Sequence, residues 1–570
     1  MQLTKLFLNA GLLDQQQIDL ARQAASDGRR LDEAAVQLGF ITEEQSLRAI
    51  GDALGLPFVD LPSAEIDLEL LETFPPAVIY REFLFPYRQE NGTLLVATSD
   101  PFNLYPLDEL GAALNKRVAP VLALRSEIAS LIKTHLGVGG ETIDRLIAQS
   151  DAEEIRVVDE AEDDGSELSQ MAQEPSVVRL VNEILLEAID IGASDIHIES
   201  EQHDLRIRYR LDGVLQPQPV PPEINRFRAA IISRLKIMSR LNIAERRLPQ
   251  DGRIELKAGG REVDIRVSVI PMIHGEGIVL RLLDKSRMTF SLSNLGMSDD
   301  LCQTFRRLIC LPHGIILVTG PTGSGKTTTL YGALQEIRND QTKIITTEDP
   351  VEYKLPGISQ IQVHQKIGLT FANSLRSILR HDPDVVLIGE IRDLETAENA
   401  IQASLTGHLV FSTLHTNDAA GAYTRLIDMG VEPFLVSSTV EAVMAQRLIR
   451  TLCPLCREAF RPAREDLPQD FPFERLSGQE VIYRAAGCRE CRQMGYKGRV
   501  GLFELLVSTD HIRQFTHDRA SSWEIKNAAV GSGMKTLRQD GWEKVLAGRT
   551  TIEEVVRVTK RNEVSGDAAI

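Results

Sequence analysis

The spacing of apolar residues changes along the chain, and each spacing predicts a different kind of element. An approximate 28-residue repeat within the first 60 residues aligns Leu3, Gly11, Leu13 and Gln17 with Leu31, Gly39, Ile41 and Gln45. Each copy has a helical stretch, a glycine stop, a short apolar step and a second helix start, which predicts a small helical unit. A mixed segment with a predicted strand at 94–98 follows, and together these parts predict an N-terminal domain over residues 1–145.

The middle of the chain combines a linker with a second domain. Residues 146–175 are rich in Asp and Glu and have almost no apolar period, which predicts an acidic linker. From Ser176 a helical period leads into Ser194-Asp195-Ile196, and the alternation over 205–210 predicts a half-buried sheet. We therefore expect an α+β domain over residues 176–290.

The last half of the chain predicts an α/β fold. Short apolar strands at 315–318, 385–388 and 409–412 alternate with helical stretches over residues 295–560. This order is typical of βαβ units around a largely parallel sheet. A segment with four cysteines, 453–500, interrupts the pattern as a small module, and residues 561–570 are expected to form a disordered tail.

Composition and charge narrow the class of protein. A chain of 570 residues exceeds a single hydrophobic core, so three or four domains are expected. A formal charge of -18 argues against a protein that binds nucleic acid over its whole surface, although a local basic patch stays open. No apolar stretch approaches the roughly 18 to 20 residues of a membrane span, and residues 1–11 lack the layout of a signal peptide. A cytoplasmic location is therefore expected.

A glycine-rich loop gives the strongest chemical signal. Its residues, Gly320-Pro321-Thr322-Gly323-Ser324-Gly325-Lys326-Thr327, have the form G-x-x-x-x-G-K-[ST]. The loop follows an apolar strand and precedes a helical stretch, as a phosphate-binding loop requires. Lys326 would reach the β and γ phosphates, and Thr327, followed by Thr328, would offer a hydroxyl to Mg²⁺. ATP and Mg²⁺ are the expected ligands, and a glycine-rich turn without a ligand is the alternative.

Two strand ends carry acids suited to ATP hydrolysis. Ile344-Ile345 leads into Thr346-Thr347-Glu348, and the strand at 385–388 leads into Gly389-Glu390. Hydrolysis needs one carboxylate to orient water and another to support Mg²⁺. A single acid after a strand is more often a helix cap or a solvated turn, but a neighbouring phosphate loop reverses that preference. His408 and His415 flank the strand at 409–412, and chemistry alone leaves their roles undecided.

Together these motifs resemble the secretion ATPase superfamily. Its Walker A, Asp box, Walker B and His box correspond to the loop, 347–353, 380–398 and 406–417, and the likeness runs from about Val177 to Lys560. The resemblance implies a RecA-like P-loop ATPase core. It also implies that Glu348 orients the attacking water, Glu390 supports Mg²⁺ and His415 senses the γ-phosphate region.

The resemblance further implies an assembly and partners. Family members form hexameric rings in which the preceding α+β domain contributes arginines to the nucleotide site. The matching candidates are Arg210, Arg266 and Arg281, each of which is alternatively a structural ion pair. Expected partners are an inner-membrane platform and the cytoplasmic domain of a membrane-anchored secretion protein, without nucleic acid. Type II secretion is the favoured function, type IV pilus assembly is the alternative, and a nucleic-acid translocase ranks third.

Four of the six cysteines form two C-x-x-C pairs, Cys453 with Cys456 and Cys488 with Cys491. This spacing predicts a structural zinc site, because four thiolates leave no open coordination position. A disulfide or redox pair and a nucleic-acid-binding zinc ribbon are the alternatives. The remaining Cys302 and Cys310 are predicted to be core residues.

The N-terminal copies resemble a domain that in some relatives binds cyclic di-GMP through paired R-L-G-x-x-L segments. The first copy reads Gln2-Leu3-Thr4 and lacks both the Arg and the Gly, and the second reads Arg30-Leu31-Asp32 and lacks the Gly. Loss of a guanine-stacking arginine and of close-approach glycines weakens such a site. A docking module is therefore favoured, with cyclic di-GMP binding as the alternative.

Overall fold

A computed structural model provides the structure. It describes residues 3–25, 30–62, 64–74, 78–79, 82–136, 156–157, 172–220, 222–258, 260–284, 290–476 and 481–559. The chain has two compact units, Met1–Ser286 and Arg287–Ile570. Most of the predicted acidic linker and all of the predicted tail at 561–570 lie outside the described residues. No helix among the described residues combines the length and the apolar character that a bilayer span needs.

The first unit begins with the same helical pair twice. The helices are α1 Leu3–Asn9, α2 Gln15–Ala24, α3 Leu31–Gln37 and α4 Glu43–Leu54. Gly11 and Gly39 follow the first helix of each pair with φ of 65° and 70°, a conformation that favours glycine. Asp14 and Thr42 then cap the second helices, each accepting a hydrogen bond from the backbone N–H three residues on, at 2.8 and 3.1 Å. Equivalent apolar positions of both copies share one small core.

A second small core follows in the same unit. Its elements are a 3₁₀ helix Leu68–Glu72, β1 Phe85–Glu90, β2 Thr93–Thr98, α5 Tyr105–Leu114, β3 Arg117–Leu122 and α6 Arg125–Leu136. Strand β2 pairs antiparallel with β1 and parallel with β3. The strand predicted at 94–98 is therefore the central strand of this sheet.

The remainder of the first unit is an antiparallel sheet with two long helices. The sheet order is β4-β8-β9-β10-β5-β6-β7. The strands are β4 Arg156–Val157, β5 Asp195–Ser200, β6 Leu205–Leu211, β7 Val214–Pro217, β8 Gln250–Ala258, β9 Arg261–Met272 and β10 Gly275–Asp284. The helices are α7 Pro175–Asp190, a 3₁₀ helix Pro222–Phe227 and α8 Arg228–Met238. Every second residue of β6 is buried, as the predicted alternation requires.

The second unit contains a seven-stranded sheet in the order β13-β12-β14-β15-β11-β16-β19. The strands are β11 Gly314–Thr319, β12 Ile344–Glu348, β13 Ser359–Gln362, β14 Val385–Ile388, β15 Leu409–Leu414, β16 Val440–Leu452 and β19 Tyr496–Val507. All neighbours are parallel except β16 and β19. The predicted, largely parallel sheet is confirmed. Between β16 and β19, the short strands β17 Arg457–Phe460 and β18 Ile482–Ala485 pair antiparallel.

Helices cover both faces of this sheet. They are α9 Asp299–Leu308, α10 Lys326–Ile337, α11 Phe371–Ile378, α12 Leu394–Leu405, α13 Ala420–Asp428, α14 Pro433–Thr439, α15 Asp510–His517, α16 Ser522–Gly531, α17 Leu537–Leu546 and α18 Ile552–Val558. Along β11, Ile315 and Leu317 join one apolar core, whereas Ile316 and Val318 join the other. Burial on both faces explains why the strands of this domain are continuous apolar runs.

The two remaining cysteines differ in burial. Cys302 lies inside α9 and is buried, as predicted. The prediction that Cys310 is a core residue is wrong, because its side chain is exposed. Helix α9 ends at Leu308, so Cys310 lies in the turn beyond it and no longer follows the apolar face of the helix.

Candidate nucleotide site and cysteine cluster

Four parallel strands place the predicted catalytic groups at one edge of the sheet. The glycine-rich loop follows Thr319 of β11, and Glu348 is the last residue of β12. Glu390 follows β14, and His415 follows β15. These strands are neighbours in the order β12, β14, β15 and β11, so their carboxyl ends share one edge. The fold therefore brings the loop, both glutamates and His415 together.

The loop is shaped by Gln446 on the adjacent strand β16. A Cβ atom on Gly320 would lie 2.5 Å from the Gln446 carbonyl oxygen, and one on Gly325 would lie 2.9 Å from Gln446 Nε2. Gly320 therefore requires glycine because it faces a backbone atom, and Gly325 favours glycine because its φ of 88° is left-handed. The buried Gln446 side chain also accepts a hydrogen bond at 2.8 Å from Thr329 Oγ1 in α10. Gln446 thus connects the loop to the helix that follows it.

Lys326 begins α10 and folds back over the loop. Its Nζ donates to the carbonyl oxygens of Gly320 and Pro321 at 2.9 and 3.2 Å. Burial lowers the pKa of Lys326 from its usual value, Glu390 opposes this change and Arg447 adds to it. The partly buried ammonium is therefore suited to pair with a phosphate.

The hydroxyl groups of the loop also fit a phosphate ligand. Thr322 is exposed, and Thr327 and Thr328 are half-buried in the first turn of α10. Ser324 Oγ is buried and has no hydrogen-bond partner among the described residues. A buried hydroxyl without a partner is rare in proteins and matches a loop built to surround an anion. The residues present therefore fit a nucleotide phosphate and its Mg²⁺ ion.

Glu390 lies between two basic side chains. One carboxylate oxygen accepts a hydrogen bond from Arg392, and the other lies 3.1 Å from His415 Nε2. Burial alone would raise the pKa of Glu390, but Arg392 and His415 outweigh it and the pKa is lowered. The carboxylate is therefore ionised at neutral pH, which suits a group that accepts a hydrogen bond from a Mg²⁺-bound water. Arg392 was not predicted to be a site residue.

Glu348 is buried and held by three donors. Its Oε1 accepts hydrogen bonds from Thr346 Oγ1 at 2.6 Å and from Gln360 Nε2 at 3.1 Å. Its Oε2 accepts a hydrogen bond from the Tyr331 hydroxyl of α10. Glu348 is therefore bound to the helix that Lys326 begins. Nothing in the local sequence distinguishes Tyr331 from an ordinary core residue.

The two histidines occupy opposite ends of β15. Next to His415, the hydroxyls of Thr319 and Thr416 lie 2.7 Å apart, which ties the β11 end to the segment after β15. His408 precedes β15, and its Nδ1 lies 2.9 Å from the Ala403 carbonyl oxygen. His415 is therefore the histidine at the nucleotide edge, and His408 has a local structural contact.

The three predicted arginines form one row in the first unit. Asp195 of β5 lies opposite Arg210 of β6 on one side and opposite Arg281 of β10 on the other. On the next strand, Arg266 of β9 lies opposite Arg281. Residues opposite one another on neighbouring strands share a face of the sheet. The Asp195 carboxylate lies 3.1 Å from Arg281 Nε and 3.5 Å from Arg210 Nε. The ion-pair alternative therefore has a structural basis at Arg210 and Arg281.

The four paired cysteines converge on one point. The sulfur atoms of Cys453, Cys456, Cys488 and Cys491 all lie within 4.8 Å of one another. Three of their separations are 3.9, 3.7 and 3.6 Å. A tetrahedral zinc ion with Zn–S bonds of about 2.3 Å spaces its sulfurs by about 3.8 Å. The cluster therefore fits a metal ion held by all four thiolates.

Arg30, the remaining arginine of the repeated N-terminal motif, is engaged within its own domain. Its guanidinium lies 3.0 Å from the Asp32 carboxylate and 2.6 Å from Asp100, and it stacks 4.8 Å from the ring centre of Phe102. Burial would lower the pKa of Arg30, but the two aspartates outweigh it and raise the pKa. The aspartate in place of the motif glycine thus pairs with the arginine beside it.

A phosphate-binding loop beside two strand-terminal glutamates defines a P-loop ATPase. The chain belongs to the family described as "Type II/IV secretion system protein", which matches residues 170–557. An MshEN domain matches residues 54–142, starting at the last residue of α4. The predicted superfamily, fold class and ATPase activity are therefore confirmed, and the family implies the use of nucleotide and Mg²⁺.

Three relatives extend over nearly the whole chain. The chain is 44% identical over 555 residues to the type II secretion system protein E of Xanthomonas campestris, covering 95% of each chain. It is 44% identical over 525 residues to the type II secretion system ATPase E of Vibrio cholerae, covering 91% of this chain and 98% of the other. It is 41% identical over 559 residues to the type IV pilus assembly ATPase PilB of Myxococcus xanthus, covering 97% and 98%.

Proposed function

We propose that the chain is a hexameric ATPase that powers pseudopilus assembly and protein export in type II secretion. The observation that carries the catalytic part is the convergence of the phosphate loop, Glu348 and Glu390 at one sheet edge. The type II assignment is supported by the names of two relatives that match over more than nine-tenths of this chain. The proposed domains are 1–145, 176–290 and 295–560, with 146–175 as linker and 453–500 as an insertion.

The proposed reaction assigns one role to each group at this edge. Loop N–H groups and Lys326 bind the β and γ phosphates, while Thr327 and Glu390 hold Mg²⁺ and its water ligands. When bound, Mg²⁺ neutralises charge on the phosphate oxygens. Glu348 orients the attacking water, and His415, next to Glu390 at 3.1 Å, responds to the γ-phosphate region. Because Glu348 has three donors, its carboxylate is fixed in orientation, which suits positioning of water.

The arginine row has a proposed role between neighbouring subunits. Arg210, Arg266 and Arg281 would contribute positive charge to the nucleotide site of a hexameric ring. Two of them already share the Asp195 carboxylate, so a phosphate would compete with that pairing. An Arg210→Ala variant should assemble normally and hydrolyse ATP more slowly. A fully assembled variant with the normal rate would remove Arg210 from the site.

We propose zinc as the metal of the cysteine cluster, with a structural role. Cys453 directly follows β16, and Cys491 lies just before β19, so one ion would hold together the ends of two paired strands. The convergence of both C-x-x-C pairs on one point favours a structural metal site over a redox site, because a redox site needs only one such pair. Metal analysis of protein purified without chelator should find about one zinc per chain. A substantially lower content would contradict the proposal.

The N-terminal domain is proposed to dock on membrane partners. Residues 1–145 would bind the cytoplasmic domain of a membrane-anchored secretion protein and bring the ATPase to an inner-membrane platform. A cyclic di-GMP site is less well supported, because Arg30 is paired with Asp32 and Asp100. Calorimetric titration of the full chain with cyclic di-GMP should show no binding heat, and saturable binding would restore the nucleotide alternative.

Type IV pilus assembly is the second candidate function, and the relative from Myxococcus xanthus favours it. The two functions differ in the partner that the ATPase meets. Phosphate release should be measured with and without the cytoplasmic segment of the membrane protein encoded nearby, from a secretion system or from a pilus system. Stimulation by the secretion component supports type II secretion. Stimulation by the pilus component alone would replace it with pilus assembly.

A further inference from the structure

Tyr331 connects the phosphate-loop helix to the proposed water-orienting glutamate. The residue is fully buried in α10, and its hydroxyl donates a hydrogen bond to Glu348 Oε2. We propose that Tyr331 is a positioning residue for ATP hydrolysis, which fixes the Glu348 carboxylate relative to the phosphate loop. This inference rests on the proposed role of Glu348.

The division of donors between the two carboxylate oxygens supports this role. Oε1 is held by the sheet itself, through Thr346 of β12 and Gln360 of β13. Two donors on one oxygen restrain the broad terminal torsion, but the flexible side chain can still pivot about that anchored oxygen. The Tyr331 hydroxyl holds the other oxygen and thereby anchors the carboxylate at both ends. This donor comes from α10, whereas Thr346 and Gln360 come from strands.

The position of Tyr331 in α10 relates Glu348 to Lys326. Tyr331 lies five positions after Lys326, which corresponds to about 1.4 helical turns and a rise of about 7.5 Å. A shift of α10 would therefore move Lys326 and the Tyr331 hydroxyl together. Tyr331 thus sets the carboxylate against the same rigid element that binds the phosphates.

The surroundings of the ring make the hydroxyl separable from the packing. Phe290 contacts the Tyr331 ring edge-on, with ring centres 5.2 Å apart, and also contacts Tyr353 at 5.5 Å. A phenylalanine at position 331 would keep this aromatic packing and remove the donor. Burial, and then the Glu348 charge, raise the pKa of Tyr331 above its usual value, so the hydroxyl remains a donor at neutral pH.

The first experiment compares Tyr331→Phe with a matched control. Tyr331→Phe in the full chain should lower kcat about tenfold and change the KM for ATP by less than about twofold. The reason is that the lost hydrogen bond orients Glu348 for the reaction and does not hold the bound ATP. The control is Tyr423→Phe in α13, where another fully buried hydroxyl lies 2.6 Å from Ser508 Oγ. It removes a comparable buried hydrogen bond and should leave kcat unchanged. Binding of a fluorescent ATP analogue checks that each variant has a folded nucleotide site.

A second experiment tests whether Tyr331 acts through Glu348. In a Glu348→Gln background, measured with radiolabelled ATP, Tyr331→Phe should lower the residual rate by less than about twofold. An equal loss in both backgrounds, or a loss confined to KM, would overturn the inference. If Tyr331→Phe hydrolyses ATP at the normal rate while Glu348→Gln is inactive, only the inference about Tyr331 fails. If Glu348→Gln itself retains the normal rate, the proposed role of Glu348 fails instead.

Discussion

Replacement of Gln446 by methionine tests how β16 supports the phosphate loop. The change keeps the length of the side chain but removes the acceptor of the Thr329 hydroxyl, which is 0% exposed. A buried polar group left without a partner costs about 1 to 3 kcal/mol. We therefore expect Gln446→Met to lower the free energy of unfolding of the second unit by about 2 kcal/mol. The KM for ATP should also rise severalfold, because the hydrogen bond that holds β16 to α10, the helix that Lys326 begins, is lost.

The double variant separates this cause from general loss of packing. Thr329→Val removes the hydroxyl that Gln446→Met leaves without an acceptor, so the double variant should be about 1 kcal/mol more stable than Gln446→Met alone. Urea unfolding can be followed by tryptophan fluorescence, because the two tryptophans of the chain, Trp523 and Trp542, both lie in the second unit. Additive losses in the double variant would refute the proposed pairing of Thr329 with Gln446.

Two further predictions concern pH and metal. Burial would raise the pKa of Glu554, but Arg557 and Arg450 lower it to about 2 from an ordinary value of 4.5. A carboxyl group whose pKa is lower in the folded protein than in the unfolded chain stabilises the fold, and this stability is lost as the pH falls from the unfolded pKa to the folded one. The urea midpoint should therefore drop between about pH 4.5 and 2, and it should drop less in Glu554→Gln. With metal bound, a thiol reagent should modify the exposed Cys310 quickly and the four cluster cysteines only after a chelator is added. Rapid modification of four thiols in addition to Cys310, without a chelator, would contradict the metal site.

The elements that depend on local patterns were predictable from the sequence. The 28-residue repeat corresponds to two helical pairs with equivalent glycines and caps at Asp14 and Thr42. The apolar runs became parallel strands, and each ends next to the group expected there, such as Glu348 and His415. These features were visible because periodicity, glycine stops and strand-terminal acids are all encoded within a few residues.

The contacts that complete the site were not predictable, because they join residues far apart in the chain. Tyr331 has the spacing of a core residue, and only the fold places its hydroxyl against Glu348. The pairing of Thr329 with Gln446 spans 117 positions. The row from Arg210 to Arg266 depends on the register of four strands, and a shift of one residue would turn those side chains to the other face.

Phosphate release by Lys326→Ala tests the central claim, that the loop and the two glutamates form an ATP-hydrolysing site. The matched control is Lys535→Ala, which removes an exposed lysine paired with Glu543 at 2.7 Å. We predict that Lys326→Ala keeps the tryptophan fluorescence of the folded protein and loses at least about 100-fold in phosphate release, while the control keeps the normal rate. Undiminished hydrolysis by folded Lys326→Ala would contradict the account.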